Sequence, residues 1–130
     1  MEAKQVIVIR KFPKSRNMRT GKYCAQAAHA SLAPLLRLAQ HEDAGLVIPL
    51  TNPYVNAWLT GRFKKITVYV DNDEDLIRLY KEALTENLPA AIIQDAGLTE
   101  FDGVPTFTAV GIGPGDPEII DKITGKLPLF

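Results

Sequence analysis

Four short apolar runs alternate with stretches of helical periodicity along the chain. Residues 5–10 (Gln-Val-Ile-Val-Ile-Arg) are β-branched and apolar without alternation, the pattern of a strand buried on both faces. Residues 11–21 are basic, carry Pro13 and Gly21, and read as a loop. Alanine- and leucine-rich sequence from Tyr23 to Leu38 predicts a helix, with Thr20 as its N-cap and Pro34 expected to kink or reposition it. Residues 41–56 hold Gly45, Pro49, Asn52 and Pro53 and read as an irregular connection with an apolar patch at Leu46–Leu50. A short helical piece then carries Tyr54, Val55 and Trp58 and ends at Gly61. Residues 65–70 form a second strand. Asp71-Asn72-Asp73 opens a helix whose apolar face is Leu76, Leu79, Tyr80 and Ala83, closed by Asn87 and Pro89.

A third strand is expected at 90–94, a loop at 95–103 and a fourth strand at 105–112. Gly113-Pro114-Gly115 reads as a turn. Asp116 caps a last helix, with Pro117 at its first position and Gly125 at its end. The order β–α–(α)–β–α–β–β–α predicts an α/β fold, a three-layer α/β/α sandwich. The connection between the third and fourth strands is too short for a parallel crossover. If neighbours, those strands are antiparallel, and the four-stranded sheet is mixed.

With 130 residues the chain fits one domain, 1–130, able to bury on the order of two-thirds of its unfolded surface. An apolar fraction of 46% with 23% charged residues excludes global disorder. No run approaches the roughly 20 apolar residues of a membrane helix, and the N-terminus does not read as a secretory signal. The single cysteine, Cys24, excludes an internal disulfide and a zinc site built on paired cysteines. The chain therefore reads as cytoplasmic. Its formal net charge is zero, yet the charges are segregated. Residues 1–41 carry eight Lys/Arg against Glu2, and residues 71–121 carry twelve Asp/Glu against Arg78 and Lys81. Such polarity permits a basic face for a polyanion; it equally describes two solvated surfaces.

Three segments could hold chemistry. In Gly21-Lys22-Tyr23-Cys24-Ala25-Gln26-Ala27-Ala28-His29-Ala30, the residues Lys22, Gln26 and His29 fall at i, i+4 and i+7 and share a helical face. That column starts at a helix N-terminus, where free N–H groups and the dipole suit a phosphate or a developing oxyanion. The same spacing describes an amphipathic helix with polar residues turned to water. In Gln94-Asp95-Ala96-Gly97-Leu98-Thr99, a carboxylate follows a strand in a glycine-containing loop, where Asp95 could orient a water and Thr99 donate to an oxyanion. A turn in which Asp95 bonds its own backbone fits as well. Gly111-Ile112-Gly113-Pro114-Gly115-Asp116 superficially resembles a nucleotide loop. It lacks a following βαβ unit and has Pro114 where a donor is needed, which argues against dinucleotide binding. Cys24 and His29 are five residues apart and fall on different faces of the helix, and His29 with His41 makes a weak metal case.

Taken together, these segments resemble the peptidyl-tRNA hydrolase 2 family. The resemblance runs in order from the strand at 5–10 through Met18-Arg19-Thr20-Gly21-Lys22 and Ala25-Gln26-Ala27-Ala28-His29-Ala30. It continues with Trp58, Gly61, Lys64 and Asp95-Ala96-Gly97-Leu98-Thr99, and ends with 106–114 and 120–125. It implies an α/β/α domain with a mixed four-stranded sheet, often dimeric, without a cofactor. The implied activity is hydrolysis of the ester between a peptidyl group and the 3′ ribose of tRNA. Functional positions would fall on Lys22, Gln26, Asp95 and Thr99, with Thr106 or Thr108 nearby and His29 at the motif histidine. Asp95 would orient the attacking water. Lys22 would hold a phosphate or polarise the ester carbonyl, and Gln26 and Thr99 would complete the hydrogen bonding around the intermediate. Where the family usually has an arginine this chain has Leu98, and Glu100 stands where glutamine is frequent. Arg16, Arg19 and Arg62 are the cations expected to offset that loss. The competing readings are a non-catalytic RNA- or protein-binding module that retains the fold, and a structural or regulatory dimer with no nucleic-acid role.

Overall fold

A computed structural model describes residues 1–97 and 101–130. Its elements are β1 (Lys4–Arg10), α1 (Thr20–Leu38), β2 (Gln40–Glu42), β3 (Gly45–Val47), α2 (Pro53–Thr60), β4 (Lys65–Val70), α3 (Asp73–Thr85), β5 (Ala90–Asp95), β6 (Thr106–Gly115) and α4 (Pro117–Thr124). A single 3₁₀ turn lies at Lys14–Arg16. The main sheet has the order β4-β1-β6-β5. β1 is parallel to β4 and antiparallel to β6, and β5 is antiparallel to β6. The sheet is mixed as expected: β1, β4 and β5 all end at the same edge, where β6 begins.

Both faces of this sheet are covered. Val6, Val8, Val110 and Ile112 pack with Leu76, Leu79 and Ala83 of α3 and Ile120 of α4. Ile7, Ile9 and Ala109 pack on the other face with Tyr23 and Ala30 of α1 and with Phe12 and Met18 from the basic loop. Leu35, Val55 and Trp58 join α1 to α2. That two-sided burial is why β1 reads as an unbroken apolar run.

The helix α1 lies unusually close to the sheet. Pro34 has no N–H, so it cannot bond the Ala30 carbonyl. A Cβ at Gly111 would collide with that same carbonyl, and with Pro34. Glycine in β6 thus lets the strand approach α1 at its one proline-relieved turn, and the helix runs through Pro34 uninterrupted to Leu38.

Three local expectations are corrected. Residues 40–47 form a small hairpin, β2–β3, rather than an irregular connection. Both of its strands are three residues long and exposed, so no alternation marks them. Gly113-Pro114-Gly115 continues β6 rather than turning. The register between β1 and β6 shifts between Lys4 and Val6, and such an irregularity tolerates a proline inside a sheet. The N-cap of α1 is Arg19, not Thr20, and no side chain caps it.

Candidate active site

The three strand ends converge with the N-terminus of α1. Asp95 is the last residue of β5, and its carboxylate collects three donors. Lys22 Nζ lies 2.5 Å from Oδ2, Gln26 Nε2 donates to the same oxygen at 3.0 Å, and the Gly97 N–H donates to Oδ1 at 2.7 Å. The side chain of Asp95 is only 10% exposed and that of Lys22 is 22% exposed. The Lys22 ammonium, the Gly97 amide and the Gln26 amide hold the Asp95 carboxyl below the usual carboxylate range, against a burial that pushes the other way. Gly97 sits at φ +82°, where a side chain would also strike the backbone of Val104, so glycine is what lets this amide reach the carboxylate.

Gln26 is buried, and its other amide end is fixed too. Thr108 Oγ1 donates to Gln26 Oε1 at 2.6 Å. With the oxygen toward Thr108 and the nitrogen toward Asp95, only one orientation of the amide satisfies both partners. Thr108 reaches Gln26 because β6 bulges: Ile93 pairs with Ala109 and Gln94 with Phe107, leaving Thr108 as an extra residue between them. The bulge puts Thr108 and Ala109 on the α1 side in succession. No composition signal marks it.

Around this cluster the basic loop is pinned, not loose. Phe12 stacks with Phe101 at 5.1 Å, and Met18 is buried. The Tyr23 hydroxyl accepts the Phe12 N–H at 2.9 Å and donates to Asn17 at 2.8 Å. Lys11, Lys14 and Arg16 remain exposed at the same end of the sheet. The first turn of α1 carries no acidic residue, leaving the helix dipole unopposed there. Arg10 ends β1 at this edge, over the Phe12 ring at 4.6 Å.

Of the residues singled out from sequence, Lys22, Gln26, Asp95 and Thr108 are brought into one network. Thr106 is the register partner of Asp95 and donates its hydroxyl to the Val104 carbonyl. Arg19 stands at the α1 cap. His29 is exposed, two turns along α1, beside Gln94 in a groove between α1 and β5, so it does not share the buried face of Gln26. Arg62 is not brought to the cluster. It lines a depression with Met1, Glu2 and Lys4 at the opposite end of the strands, roughly 20 Å away for a six-residue strand. Thr99, with Leu98 and Glu100, lies outside the described residues. Tyr23 and the Thr108 bulge were not legible beforehand. Among the described residues no group of three or more His, Cys, Asp or Glu could hold a metal ion, and no helix is long and apolar enough to cross a membrane.

Comparison with known proteins gives this geometry a family. A family model described as peptidyl-tRNA hydrolase PTH2 matches residues 3–130. A protein named peptidyl-tRNA hydrolase from Methanocaldococcus jannaschii is 41% identical over 127 residues, 98% of this chain and 99% of that one. Another of the same name from Staphylothermus marinus is 40% identical over 129 residues, 99% of this chain and 96% of that one. One from Sulfurisphaera tokodaii is 38% identical over 130 residues, the full length of both. With the match spanning nearly every residue, the chain belongs to the PTH2 family of peptidyl-tRNA hydrolases.

Proposed function

We propose that this chain hydrolyses the ester joining a peptidyl group to the 3′ ribose of tRNA, using Lys22, Gln26, Asp95 and Thr108 at the shared strand edge. The observation that carries the reading is the largely covered carboxylate of Asp95, held by a lysine, an amide side chain and a backbone N–H. In the reaction, a water oxygen bonds the ester carbonyl carbon, an oxyanion forms, and the bond to the ribose oxygen breaks. The proton released by the water ends on the ribose hydroxyl.

The depressed pKa of Asp95 keeps it ionised, a weak base that acts as a hydrogen-bond acceptor rather than a proton carrier. A carboxylate has about four acceptor positions. Three are engaged here, and the fourth can fix the attacking water. Lys22 is the more exposed partner of the pair, so its ammonium can turn part of its donor capacity to the carbonyl oxygen as charge develops there. Gln26, locked by Thr108, keeps Asp95 oriented. Thr99 is the further donor that the resemblance assigns. Phosphates of the tRNA end would meet the first turn of α1, Arg19 and the exposed Lys14 and Arg16. Residues 1–130 act as one domain.

We also place the protein in the cytoplasm, where its substrate is made, and assign it a homodimeric state. The exposed Leu46, Val47 and Leu50 of the β2–β3 hairpin and the connection after it support self-association. Light scattering tests that assignment.

The activity is tested by tRNA release from an N-blocked aminoacyl-tRNA. Wild type should release it, and Lys22→Ala should slow turnover at least about a hundredfold, the scale of one oxyanion donor. Equal turnover by Lys22→Ala would remove Lys22 from the site.

A further inference from the structure

We infer that the open edge of β5 and the groove beside α1 form a track for the peptide part of the substrate, bound as an added parallel strand. This rests on the esterase reading above and assigns the binding surface for the acyl side.

The two edges of the sheet are treated differently. On β4, Tyr69 donates its N–H to Pro128, Phe130 donates to Thr67, and Val68 bridges Leu129, so residues 128–130 cover the outer edge. On β5, β6 occupies one side, and no strand pairs with the other among the described residues. An exposed strand edge is a template for another extended chain, and proteins usually blunt it. Here the open edge ends at Asp95.

Beside that edge runs a groove of about 490 Å³ lined by Ala28, Leu32, Ala33 and Leu36 of α1 and Ile92 and Ile93 of β5. Leu32 and Leu36 are 52% and 48% exposed, which is unusual for leucines on a helix packed against a sheet. His29 and Gln94 are its polar residues.

Polarity fits. The ester carbonyl is the peptide's C-terminal carbonyl. With it at Asp95, the rest of the peptide runs back toward Ala90, parallel to β5. Length fits too. From Ala28 to Leu36 α1 rises roughly 12 Å, the reach of about four extended residues. Main-chain bonds do not read side chains, and an apolar groove accepts alternate side chains of many kinds. Such a track would hold peptides of varied sequence.

The test compares kcat/KM for an N-acetylaminoacyl-tRNA and a pentapeptidyl-tRNA. Wild type should favour the pentapeptide about tenfold or more, the effect of two or three added main-chain bonds. N-methylation at alternate peptide residues should erase that preference. Leu32→Glu/Leu36→Glu should bring the ratio near one, whereas Leu84→Glu, an exposed leucine on α3, should keep it. Equal kcat/KM for both substrates in wild type overturns the track. So does an unchanged ratio in Leu32→Glu/Leu36→Glu. Loss of self-association in that variant with the preference intact makes the groove a contact between copies, and overturns it as well. Failure of folded wild type to cleave either substrate overturns the esterase reading itself, and the track with it.

Discussion

Two lysine–aspartate pairs sit at opposite ends of the same sheet, each with a 2.5 Å contact, and they are built in opposite ways. In the Lys4–Asp121 pair, the lysine side chain is 10% exposed and the carboxylate 55% exposed. The pair ties the start of β1 to α4, and its carboxylate is largely solvated. In the Lys22–Asp95 pair the burial is reversed: the carboxylate is held inside by three donors, and the ammonium is the more accessible partner. The contrast teaches that the contact distance does not distinguish a fastening from the group proposed to act. What matters is which partner is buried, and which has donors or lone pairs left to offer.

The largest separation between the pairs should appear in turnover. Asp95→Asn is expected to lower kcat by about 10²–10³, while Asp121→Asn keeps hydrolysis within about twofold; single-turnover tRNA release measures both. A smaller effect is expected at the bulge. Thr108→Val leaves Gln26 Oε1 buried without its donor, so turnover should fall about tenfold and stability by about 1–2 kcal/mol. Calorimetry beside kinetics reads the two losses together, and Thr108→Ser should restore most of each.

Stability should separate the two pairs far less than turnover does. Asp121→Asn leaves a buried ammonium without its counter-charge and should cost about 1–2 kcal/mol. That is less than the loss of a fully buried pair, because Asp121 is solvent-facing. Denaturant midpoints report it. The smallest effect is acid-sensitive. Asp95 has a folded pKa below its ordinary value, so its contribution is fully present above the unfolded value of about 4. The contribution is lost as pH falls through the folded value. The stability gap between wild type and Asp95→Asn should be constant above about pH 5 and narrow toward acid, as urea titrations at several pH values will show.

Much of this was legible because it rests on short-range signals. β1 and β4 are apolar β-branched runs, and their expected bounds nearly coincide with Lys4–Arg10 and Lys65–Val70. Asp116 caps α4 by accepting the Glu118 N–H, as its place before Pro117 indicated, and Asn72, within the Asp71–Asp73 segment expected to open α3, accepts the Asp75 N–H. The β2–β3 hairpin escaped because its exposed three-residue strands carry no alternation. The continuation of β6 through Pro114 escaped because the shifted register depends on β1, whose Lys4 pairs with Gly115 from 111 positions away. In the site, helical spacing put Lys22, Gln26 and His29 on one face, but the sheet underneath divides them. Gln26 points in, Lys22 reaches over the edge to Asp95, and His29 faces the groove. The pairing of Lys22 with Asp95 spans 73 positions, and no spacing rule reaches that far. Arg62 looked useful as a cation and proved to lie at the other end of the strands, a placement that only the topology decides.

The most direct measurement sets wild type, Asp95→Asn and Asp121→Asn side by side on one N-blocked aminoacyl-tRNA, with folding checked by circular dichroism. Release of tRNA by wild type and Asp121→Asn, with a loss of about a hundredfold or more in Asp95→Asn, is the expected result. Equal turnover by folded Asp95→Asn and wild type would contradict the assignment of the Asp95 cluster as the hydrolytic site.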